Sequence, residues 1–560
     1  MKQDKPINVA NEIAHTLKSC GVEQFFMLTG GDQPLWIALR DAGIKMIVAR
    51  SEPGAVYMAD GYARAGNRVA VTYGQAGPGA ANVAAALADS LWAQSPVMAL
   101  TGATATNAVY ANEYQALDQF AMFAPVTKWN GRAEDAGQVA RLVRHAVQTA
   151  VTGTPGPTHL DVPKDFFGRP AARSNDTRAT ALPKTRLTPP VDVADIGDAI
   201  ASLTRAERPV ILVGEGARLG QAGDAIAALS TRAGIPIMAT MGGKPAVLSN
   251  HPNFCGIVGR YSSVTANRLL GEVDCVLAIG SRLGGLATNG YKLPSMKAHV
   301  IQVDSDPAAF ANPYFPAQCV QADAAAFVDA LAGDVPAATK PSSWLAQCRR
   351  EVAEWNARFE ERVASDRASP VLTPFTVLAS LSRYASDVTV VADTGYMAAW
   401  TGVLFPIERY DRFFRAVGSL GWALPASLGV QLARPEKVVC ITGDGGVGYH
   451  LADIETAVRY KIPVVVLVLN NDGLAFEYHE QKYRWNGNVV AEANDFGKAD
   501  YAAVARALGA DGHRVTTREE LDVALAAAMK SDRPCVLDIA IDREAFPPVT
   551  NFEAVLERKL

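Results

Sequence analysis

Cysteine is scarce and scattered in this sequence, and nothing in its placement indicates a disulfide framework. No two cysteines form a Cys-x-x-Cys pair, and several lie in apolar runs such as residues 438–441. We therefore expect buried, reduced thiols, as in a reducing cytoplasm. The seven positions are Cys20, Cys255, Cys275, Cys319, Cys348, Cys440 and Cys535.

The sequence also lacks a dominant charge and a long hydrophobic run. Its net charge is −4 and its pI is about 6.1, which indicates no nucleic-acid and no membrane partner. The longest apolar stretch, residues 462–469, is far too short to cross a bilayer. Residues 1–18 contain no apolar segment of signal-peptide length. We expect a globular protein with a cytoplasmic location.

What the sequence does contain is a repeated alternation of strand-like and helix-like segments. This alternation predicts an α/β fold of doubly wound parallel sheets with helices on both faces. Two stretches with the composition of linkers lie at about 169–192 and 337–343. They divide the chain into three predicted domains at residues 1–182, 190–338 and 368–560.

Two strand-like segments in the C-terminal third end in polar turns. One leads into Gly443-Asp444-Gly445-Gly446 and the next into Asn470-Asn471-Asp472-Gly473. The carboxyl ends of parallel strands form the edge where such sheets bind ligands. Asp444, Asn471 and a backbone carbonyl near Gly473 offer the oxygen ligands that Mg²⁺ prefers, and the glycines let a diphosphate approach. The alternative is that both segments are ordinary tight turns.

The stretch GDGGVGYHLADIETAVRYKIPVVVLVLNND, residues 443–472, resembles a known cofactor-binding signature. It is that of the thiamine-diphosphate superfamily of acetolactate synthase, pyruvate decarboxylase and benzaldehyde lyase. The resemblance implies that Asp444, Asn471 and the Gly473 carbonyl hold Mg²⁺ on the cofactor diphosphate. It also implies cofactor contacts at Gly443, Gly445, Gly446, Val447 and Leu474.

Residues 49–90 resemble the pyrimidine-binding domain of the same superfamily, with Glu52 where the family keeps an acid. By this resemblance Glu52 favours the imino form of the cofactor's aminopyrimidine, which removes the C2 proton to give the ylid and later an enamine. Acid–base help of this kind contributes about 10²–10⁴-fold. Taken alone, a glutamate at a helix start is more simply explained by the helix macrodipole.

Further cofactor contacts follow from the same resemblance. Gly77, Pro78 and Asn82 match the family's Gly-Pro-Gly-x-x-Asn loop. Leu420 stands where relatives carry an apolar wedge that bends the cofactor, a role compatible with an ordinary core leucine. Tyr396 follows an Asp-x-Gly turn, in place of a polar diphosphate contact of acetolactate synthase.

The superfamily also implies an oligomer. Its members bind the two ends of one cofactor with different subunits. Glu52 and Asp444 of one chain would then serve two different cofactors, in a homodimer or homotetramer with active sites at the subunit interface.

Four residues are candidates for substrate contact by the same resemblance. Asp32 follows Gly30-Gly31 where relatives place a substrate-facing residue, and Gln115 matches a shared glutamine. Glu477 matches an acid of pyruvate decarboxylase, and Phe476 would form an apolar pocket wall. For Asp32 and Glu477 the alternative is a solvated surface acid.

The sequence departs from two of the named enzymes. The tryptophan that recognises the acceptor in acetolactate synthase has no counterpart after Glu477, and the histidine pair of pyruvate decarboxylase is absent from residues 109–114. A decarboxylase, carboligase or lyase with a less common substrate fits these departures better than a housekeeping acetolactate synthase.

The central third resembles the superfamily's central domain, which carries FAD in acetolactate synthase and ADP in oxalyl-CoA decarboxylase. Its strand-like runs end in glycine turns near Gly214 and Gly280, which alone are a weak nucleotide signal. Arg282 and Asp304 are the candidate contacts, and an empty site is the alternative.

The leading hypothesis is a thiamine-diphosphate- and Mg²⁺-dependent decarboxylase or carboligase acting on a 2-oxo acid. Its alternative is a 2-hydroxy-ketone or acyl-CoA lyase. A flavin or NAD oxidoreductase would leave the pairing of Asp444 with Asn471 unexplained. A non-catalytic homologue is disfavoured because Glu52, Asp444 and Asn471 are all present.

Overall fold

Three six-stranded parallel sheets organise the part of the chain that the computed structural model describes, residues 7–171, 191–367 and 369–549. The predicted fold class, an α/β protein with three doubly wound parallel sheets, is confirmed. The domain boundaries stay a prediction, because most of the linker expected at about 169–192 lies outside the described residues.

The first sheet is built from residues 24–163. Its elements are α1 (Val9–Ser19), β1 (Gln24–Met27), α2 (Gln33–Asp41), β2 (Lys45–Val48), α3 (Glu52–Gly66), β3 (Ala70–Gly74), α4 (Pro78–Trp92), β4 (Val97–Ala103), α5 (Gln119–Phe123), β5 (Trp129–Arg132), α6 (Val139–Val151) and β6 (Thr158–Pro163). The strand order is β2-β1-β3-β4-β6-β5.

The central sheet is built from residues 209–321. Its elements, with the long helix that follows, are α7 (Val193–Arg205), β7 (Pro209–Val213), α8 (Glu215–Leu219), α9 (Gly223–Ala233), β8 (Ile237–Thr240), β9 (Phe254–Val258), α10 (Val264–Gly271), β10 (Cys275–Ile279), β11 (His299–Asp304), β12 (Gln318–Gln321), α11 (Ala324–Asp334) and α12 (Ser343–Arg367). The order β12-β11-β10-β7-β8-β9 is that of a Rossmann sheet.

The third sheet is built from residues 388–540. Its elements are α13 (Pro374–Ser382), β13 (Val388–Ala392), α14 (Tyr396–Leu404), β14 (Phe413–Arg415), α15 (Ala423–Ala433), β15 (Lys437–Gly443), α16 (Asp444–His450), α17 (Asp453–Tyr460), β16 (Val465–Asn470), α18 (Ala475–Arg484), α19 (Ala491–Asn494), α20 (Tyr501–Ala507), β17 (Asp511–Val515), α21 (Arg518–Lys530) and β18 (Cys535–Ala540). The order β14-β13-β15-β16-β18-β17 repeats that of the first sheet.

The central strands of each sheet are buried because helices cover both faces. Every residue of β16 is buried, and so is every residue of β4. Such strands are nearly continuous in apolar residues rather than alternating, as parallel sheets require. Since the strands are apolar along most of their length, we look for the side chains that bind or react at the strand ends.

The first and third sheets meet through helices α3 and α15 of the same chain. The two backbones pass so closely that a Cβ added at Gly429 would lie 1.9 Å from the Met58 carbonyl oxygen. A Cβ at Gly61 would lie 2.2 Å from the Ala426 carbonyl oxygen. Only glycine allows this approach, which fixes the N-terminal end of α3 relative to the third sheet.

Two further observations bear on the expectations from composition. Within the described residues, no helix is long and apolar enough to cross a membrane. The cysteines are free thiols and six of them are buried, but the expectation of burial is wrong for Cys319, which is exposed. Cys319 lies in the edge strand β12, which has a neighbour on one side alone.

Candidate active site

The predicted metal pair lies at the carboxyl ends of adjacent strands. The register pairs Gly443 of β15 with Leu469 of β16, so the residues that follow lie side by side. Asp444 begins α16 and is 4% exposed. Its Oδ1 accepts the Gly445 N–H at 3.0 Å and its Oδ2 accepts the Gly473 N–H at 2.8 Å. Burial raises the pKa of Asp444 to about 6, against these hydrogen bonds, and a cation would favour the ionised form.

Two consecutive asparagines at the end of β16 have different environments. Asn470 uses both ends of its amide, since it donates to Asp538 Oδ1 at 3.0 Å and accepts from the Asp472 N–H at 3.2 Å. Asn471 Oδ1 is buried and has no hydrogen-bond partner among the described residues. A buried carbonyl oxygen without a donor is costly unless a cation binds it. Together with Asp444, this oxygen fits a Mg²⁺ ligand set.

The turn after β15 is closely packed around the predicted diphosphate position. A Cβ at Gly445 would lie 2.7 Å from the Leu474 side chain, and one at Gly446 would lie 2.4 Å from an oxygen of Asp393. Val447 is fully buried behind the turn. On the opposite side, the Leu474 N–H donates to the Asn494 carbonyl at 2.7 Å. The narrow turn therefore requires its glycines and presents the start of α16, as a diphosphate site needs.

Asp393 holds this turn together and was missed as a site residue in the sequence. It is 1% exposed and accepts hydrogen bonds from Thr442 Oγ1 at 2.8 Å and from the N–H groups of Thr394 and Gly421. Burial raises its pKa to about 6. Gly421 follows the predicted wedge Leu420, which is half-buried, so Asp393 links the wedge to the diphosphate turn. Its place at the end of an apolar strand was the available signal.

Glu52 lies at the corresponding edge of the first sheet. It begins α3, whose cap is Ser51, and Asn82 donates from Nδ2 to Glu52 Oε2 at 3.1 Å. A Cβ at Gly79 would lie 3.2 Å from Glu52 Oε1. The structure thus brings together Glu52, Asn82 and the Gly77-Pro78-Gly79 turn, whose roles towards the cofactor stay predictions.

Gln75 is a second residue that the sequence analysis did not single out. It lies within residues 49–90, the stretch that resembles the pyrimidine-binding domain. Its Nε2 is 3.3 Å from Gln115 Oε1. Its side chain fills the space beside Gly30, where a Cβ would lie 2.7 Å from Gln75 Oε1. Gln75 therefore connects the predicted substrate residue Gln115 to the loop that carries Asp32.

Asp32 is 8% exposed and lies close to Gly102, at the end of β4. Asp32 occupies the N-cap position of α2, but its side chain makes no cap hydrogen bond and instead accepts from Tyr73 Oη. Burial raises the pKa of Asp32. The solvated-surface alternative does not fit Asp32, whose role towards substrate stays a prediction.

Tyr396, Phe476 and Glu477 lie near one another at the starts of α14 and α18. The Tyr396 hydroxyl is 2.8 Å from His479 Nδ1, and the Tyr396 and Phe476 ring centroids are 5.5 Å apart. Burial raises the pKa of Tyr396, and the nearby charge of Glu477 adds to this effect. Glu477 itself is exposed in the single chain. The predicted cofactor role of Tyr396 stays untested.

The two halves of the candidate site contact each other indirectly within one chain. Ser51 Oγ, one residue before Glu52, is 3.3 Å from Nδ1 of His450, the last residue of α16. Among the described residues, no hydrogen bond joins Glu52 to Asp444 or Asn471. Large apolar side chains are exposed beside both halves, at Tyr110, Tyr114, Leu117 and Phe120 and at Tyr449, Trp485, Val490 and Phe496.

The central sheet borders a separate cavity of about 510 Å³ at the switch point between β7 and β10. Asp304 lines it and is buried, which raises its pKa. Arg282 lines it too and donates to the Trp92 carbonyl at 3.1 Å. Arg415, from the third sheet, has a buried Nε without a partner among the described residues. This donor set fits an anionic nucleotide.

Comparison with known families gives matches in all three parts of the chain. Residues 7–122 match the N-terminal TPP binding domain of the thiamine pyrophosphate enzymes. Residues 196–331 match the central domain, and residues 393–539 match the C-terminal TPP binding domain. The two matched binding domains are those that carry Glu52 and Asp444.

Curated relatives are similar over nearly the whole chain. A putative acetolactate synthase large subunit of Mycobacterium tuberculosis is 33% identical, over 91% of this chain and 93% of the relative. A probable acetolactate synthase large subunit of Methanococcus aeolicus is 29% identical, over 96% and 92% respectively. The large subunit of acetolactate synthase isozyme 2 of Escherichia coli is 27% identical, over 99% and 100%.

Proposed function

Since the chain belongs to the thiamine pyrophosphate enzyme family and is a thiamine-diphosphate-dependent enzyme similar to acetolactate synthase, we propose that it is a Mg²⁺-requiring decarboxylase or carboligase acting on a 2-oxo acid. The observation that carries the proposal is the unpartnered, buried Asn471 Oδ1 beside Asp444. The carboxylate, the amide oxygen and the Gly473 carbonyl would hold Mg²⁺ against the cofactor diphosphate. Bound thiamine diphosphate would supply a nucleophilic carbon and an electron sink for the carbon–carbon bond.

Glu52 would act on the aminopyrimidine ring at the other end of the cofactor. Its Oε2 is oriented by Asn82 and its Oε1 lies against Gly79. The carboxyl group would hydrogen-bond a ring nitrogen of the aminopyrimidine. Glu52 would shift a proton there, as a general acid–base residue does.

The substrate pocket would lie between Gln115 and Asp32 on one side and Phe476 and Glu477 on the other. Gln115 is oriented by Gln75, and Asp32 is held by Tyr73. These groups would bind the substrate carboxylate or carbonyl and return a proton to the product. Since the acceptor-binding tryptophan of acetolactate synthase has no counterpart after Glu477, the substrate differs from that of the housekeeping enzyme.

The active unit is a homodimer or homotetramer in which each cofactor is shared by two chains. In support of this, no hydrogen bond joins Glu52 to Asp444 among the described residues. Exposed apolar side chains, such as Tyr114 and Trp485, lie beside the two halves of the site. Exposed apolar patches of this kind are typical of interaction surfaces. A second copy would cover them and complete the site.

A nucleotide, FAD or ADP, is proposed for the cavity beside the central sheet. Asp304 would accept a hydrogen bond from the ribose, and Arg415 would pair with a phosphate. Both contacts are typical of nucleotide sites at the switch point of a Rossmann sheet.

The buried free thiols support the expected cytoplasmic location.

The test is to incubate protein loaded with thiamine diphosphate and Mg²⁺ with a panel of 2-oxo acids and 2-hydroxy ketones. Release of CO₂ together with a new ketol or aldehyde from a 2-oxo acid supports the proposal. Aldehyde release without CO₂ from a 2-hydroxy ketone or an acyl-CoA would favour the lyase alternative. Failure to take up the cofactor with Mg²⁺ would reject both.

A further inference from the structure

A buried amide lies behind the Gly77 turn, at the start of α5. Gln119 is 3% exposed, and its Oε1 accepts the Gly77 N–H at 2.8 Å. Its Nε2 donates to Asp161 Oδ1 at 2.6 Å and to the Gly102 carbonyl at 3.0 Å. Both partners of the nitrogen are acceptors, so only the amide oxygen can face Gly77.

Among the described residues, Gly77 has one backbone and one side-chain hydrogen bond: its carbonyl accepts the Ala81 N–H at 3.0 Å, and its N–H donates to Gln119. It adopts φ 73° and ψ −116°, a conformation that side chains do not tolerate, and it caps α4 without a capping side chain. The next residue, Pro78, has no N–H to donate. The Gln119 amide is therefore the side chain that anchors the turn whose Gly79 contacts Glu52.

The anchor is itself fixed by a buried network. Thr101 Oγ1 donates to Asp161 Oδ1 at 2.8 Å and lies 2.7 Å from His159 Nε2. The His159 ring stacks on Phe123, one turn beyond Gln119, with centroids 3.6 Å apart. Burial lowers the pKa of His159 to about 3, so the ring is neutral and donates to Thr101.

We propose that Gln119 is a positioning residue that sets the Gly77-Pro78-Gly79 turn for the pyrimidine end of the cofactor. The inference rests on the proposed function, because the turn's ligand is that cofactor. Gln119 would act through one orientation of its side-chain amide, with the oxygen towards the Gly77 N–H and the nitrogen towards Asp161.

Gln119→Glu tests this polarity with almost no change of shape. The introduced carboxylate would face Asp161 and the Gly102 carbonyl without a proton to donate. Because these acceptors lose their donor, the affinity for the cofactor should fall by about tenfold or more. We expect thiamine diphosphate with Mg²⁺, titrated by tryptophan fluorescence, to bind at least about tenfold more weakly at pH 8. Gln148→Glu on α6 is the matched control, with affinity like that of the unchanged protein.

The pH dependence separates this role from simple packing. In Gln119→Glu the introduced carboxyl group pairs with Asp161, which also faces Asp118 and Arg132 and is linked through Thr101 to neutral His159. At pH 6 the two carboxyl groups would share a proton, which restores a donor. The ratio of variant to unchanged affinity should then rise several-fold between pH 8 and pH 6. Gln119→Met, of similar volume, should bind weakly at both pH values, and it serves as the test if Gln119→Glu does not fold.

Each outcome decides something. If both variants bind the cofactor within twofold of the unchanged protein at both pH values, the inference is overturned while the proposed function stands. Equal weakening of Gln119→Glu at pH 8 and pH 6 would assign Gln119 to packing and also overturns the inference. If the unchanged protein does not bind the cofactor, the proposed function fails first.

Discussion

The first and third sheets share one strand order but differ in the turn that follows the third strand. After β3 the chain forms Gly77-Pro78-Gly79, and after β15 it forms Gly443-Asp444-Gly445-Gly446. The first turn has no ionisable side chain and is anchored by a buried amide. The second turn begins α16 with a carboxylate. In the proposed function, the same edge of the same scaffold would support ring recognition in one sheet and cation binding in the other.

The scaffold behind both turns is similar. In each sheet, an aspartate that follows the first strand accepts a hydrogen bond from a hydroxyl group. The hydroxyl belongs to the penultimate residue of the third strand. Asp32 accepts from Tyr73, and Asp393 accepts from Thr442. Burial raises the pKa of both carboxyls. The two sheets therefore differ in a few turn residues that are placed on a common support.

The largest effect should come from removing the carboxylate of the third sheet. We expect Asp444→Ala to lose Mg²⁺-dependent cofactor binding and to have activity lower by about 10³-fold or more, since catalysis requires the cofactor. Isothermal titration with thiamine diphosphate and Mg²⁺ measures this. Asp472→Asn, in the neighbouring turn, is the control and should bind nearly normally. Retained cofactor affinity in Asp444→Ala would contradict the metal assignment.

Removing the carboxylate of the first sheet should separate chemistry from binding. Glu52→Gln keeps the shape of the side chain and its contact with Asn82, so the fold and cofactor affinity should change little. Turnover should fall by about 10²–10⁴-fold, the usual contribution of acid–base help. Steady-state kinetics with saturating cofactor checks the prediction. Turnover like that of the unchanged protein would refute the role of Glu52.

The two asparagines at the end of β16 sharpen the comparison within the third sheet. Asn471→Ala should weaken Mg²⁺ affinity by about 10–100-fold and leave stability almost unchanged, because its oxygen has no protein partner among the described residues. Asn470→Ala should lower the free energy of unfolding by about 1–2 kcal/mol, because it breaks the hydrogen bond to Asp538. Mg²⁺ titration and chemical denaturation measure the two effects, and the reverse pattern would exchange the assignments.

The last prediction concerns the contact between the Glu52 half and the Asp444 half of the site, which His450 makes. Burial lowers the pKa of His450 to about 4, from 6.5, so its contribution to stability is present above pH 6.5 and lost as pH falls towards 4. At pH 5 the loss is about 2 kcal/mol. His450→Gln cannot titrate, so its melting temperature should fall less than that of the unchanged protein between pH 7.5 and pH 5. An identical fall in both proteins would contradict this.

The sequence predicted the parts of the site that depend on local pattern. Asp444 and Asn471 were found because turns after consecutive strands meet at one sheet edge, and the family resemblance is confirmed. Gln75, Gln119 and Asp393 were missed, because their roles arise from contacts across loops distant in sequence. The burial of Asp32 was not predicted either, because its partner Tyr73 comes from strand β3, distant in sequence.

The central claim is that the Glu52 half and the Asp444 half of one active site come from different chains. Mixing Glu52→Gln protein with Asp444→Ala protein, after dissociation and reassociation, tests it most directly. A shared site predicts that mixed dimers regain one intact site of two, so activity should return to about a quarter of that of the unchanged protein. If the mixture stays as inactive as its two components, although mass spectrometry shows mixed dimers, both halves belong to one chain and the account is wrong.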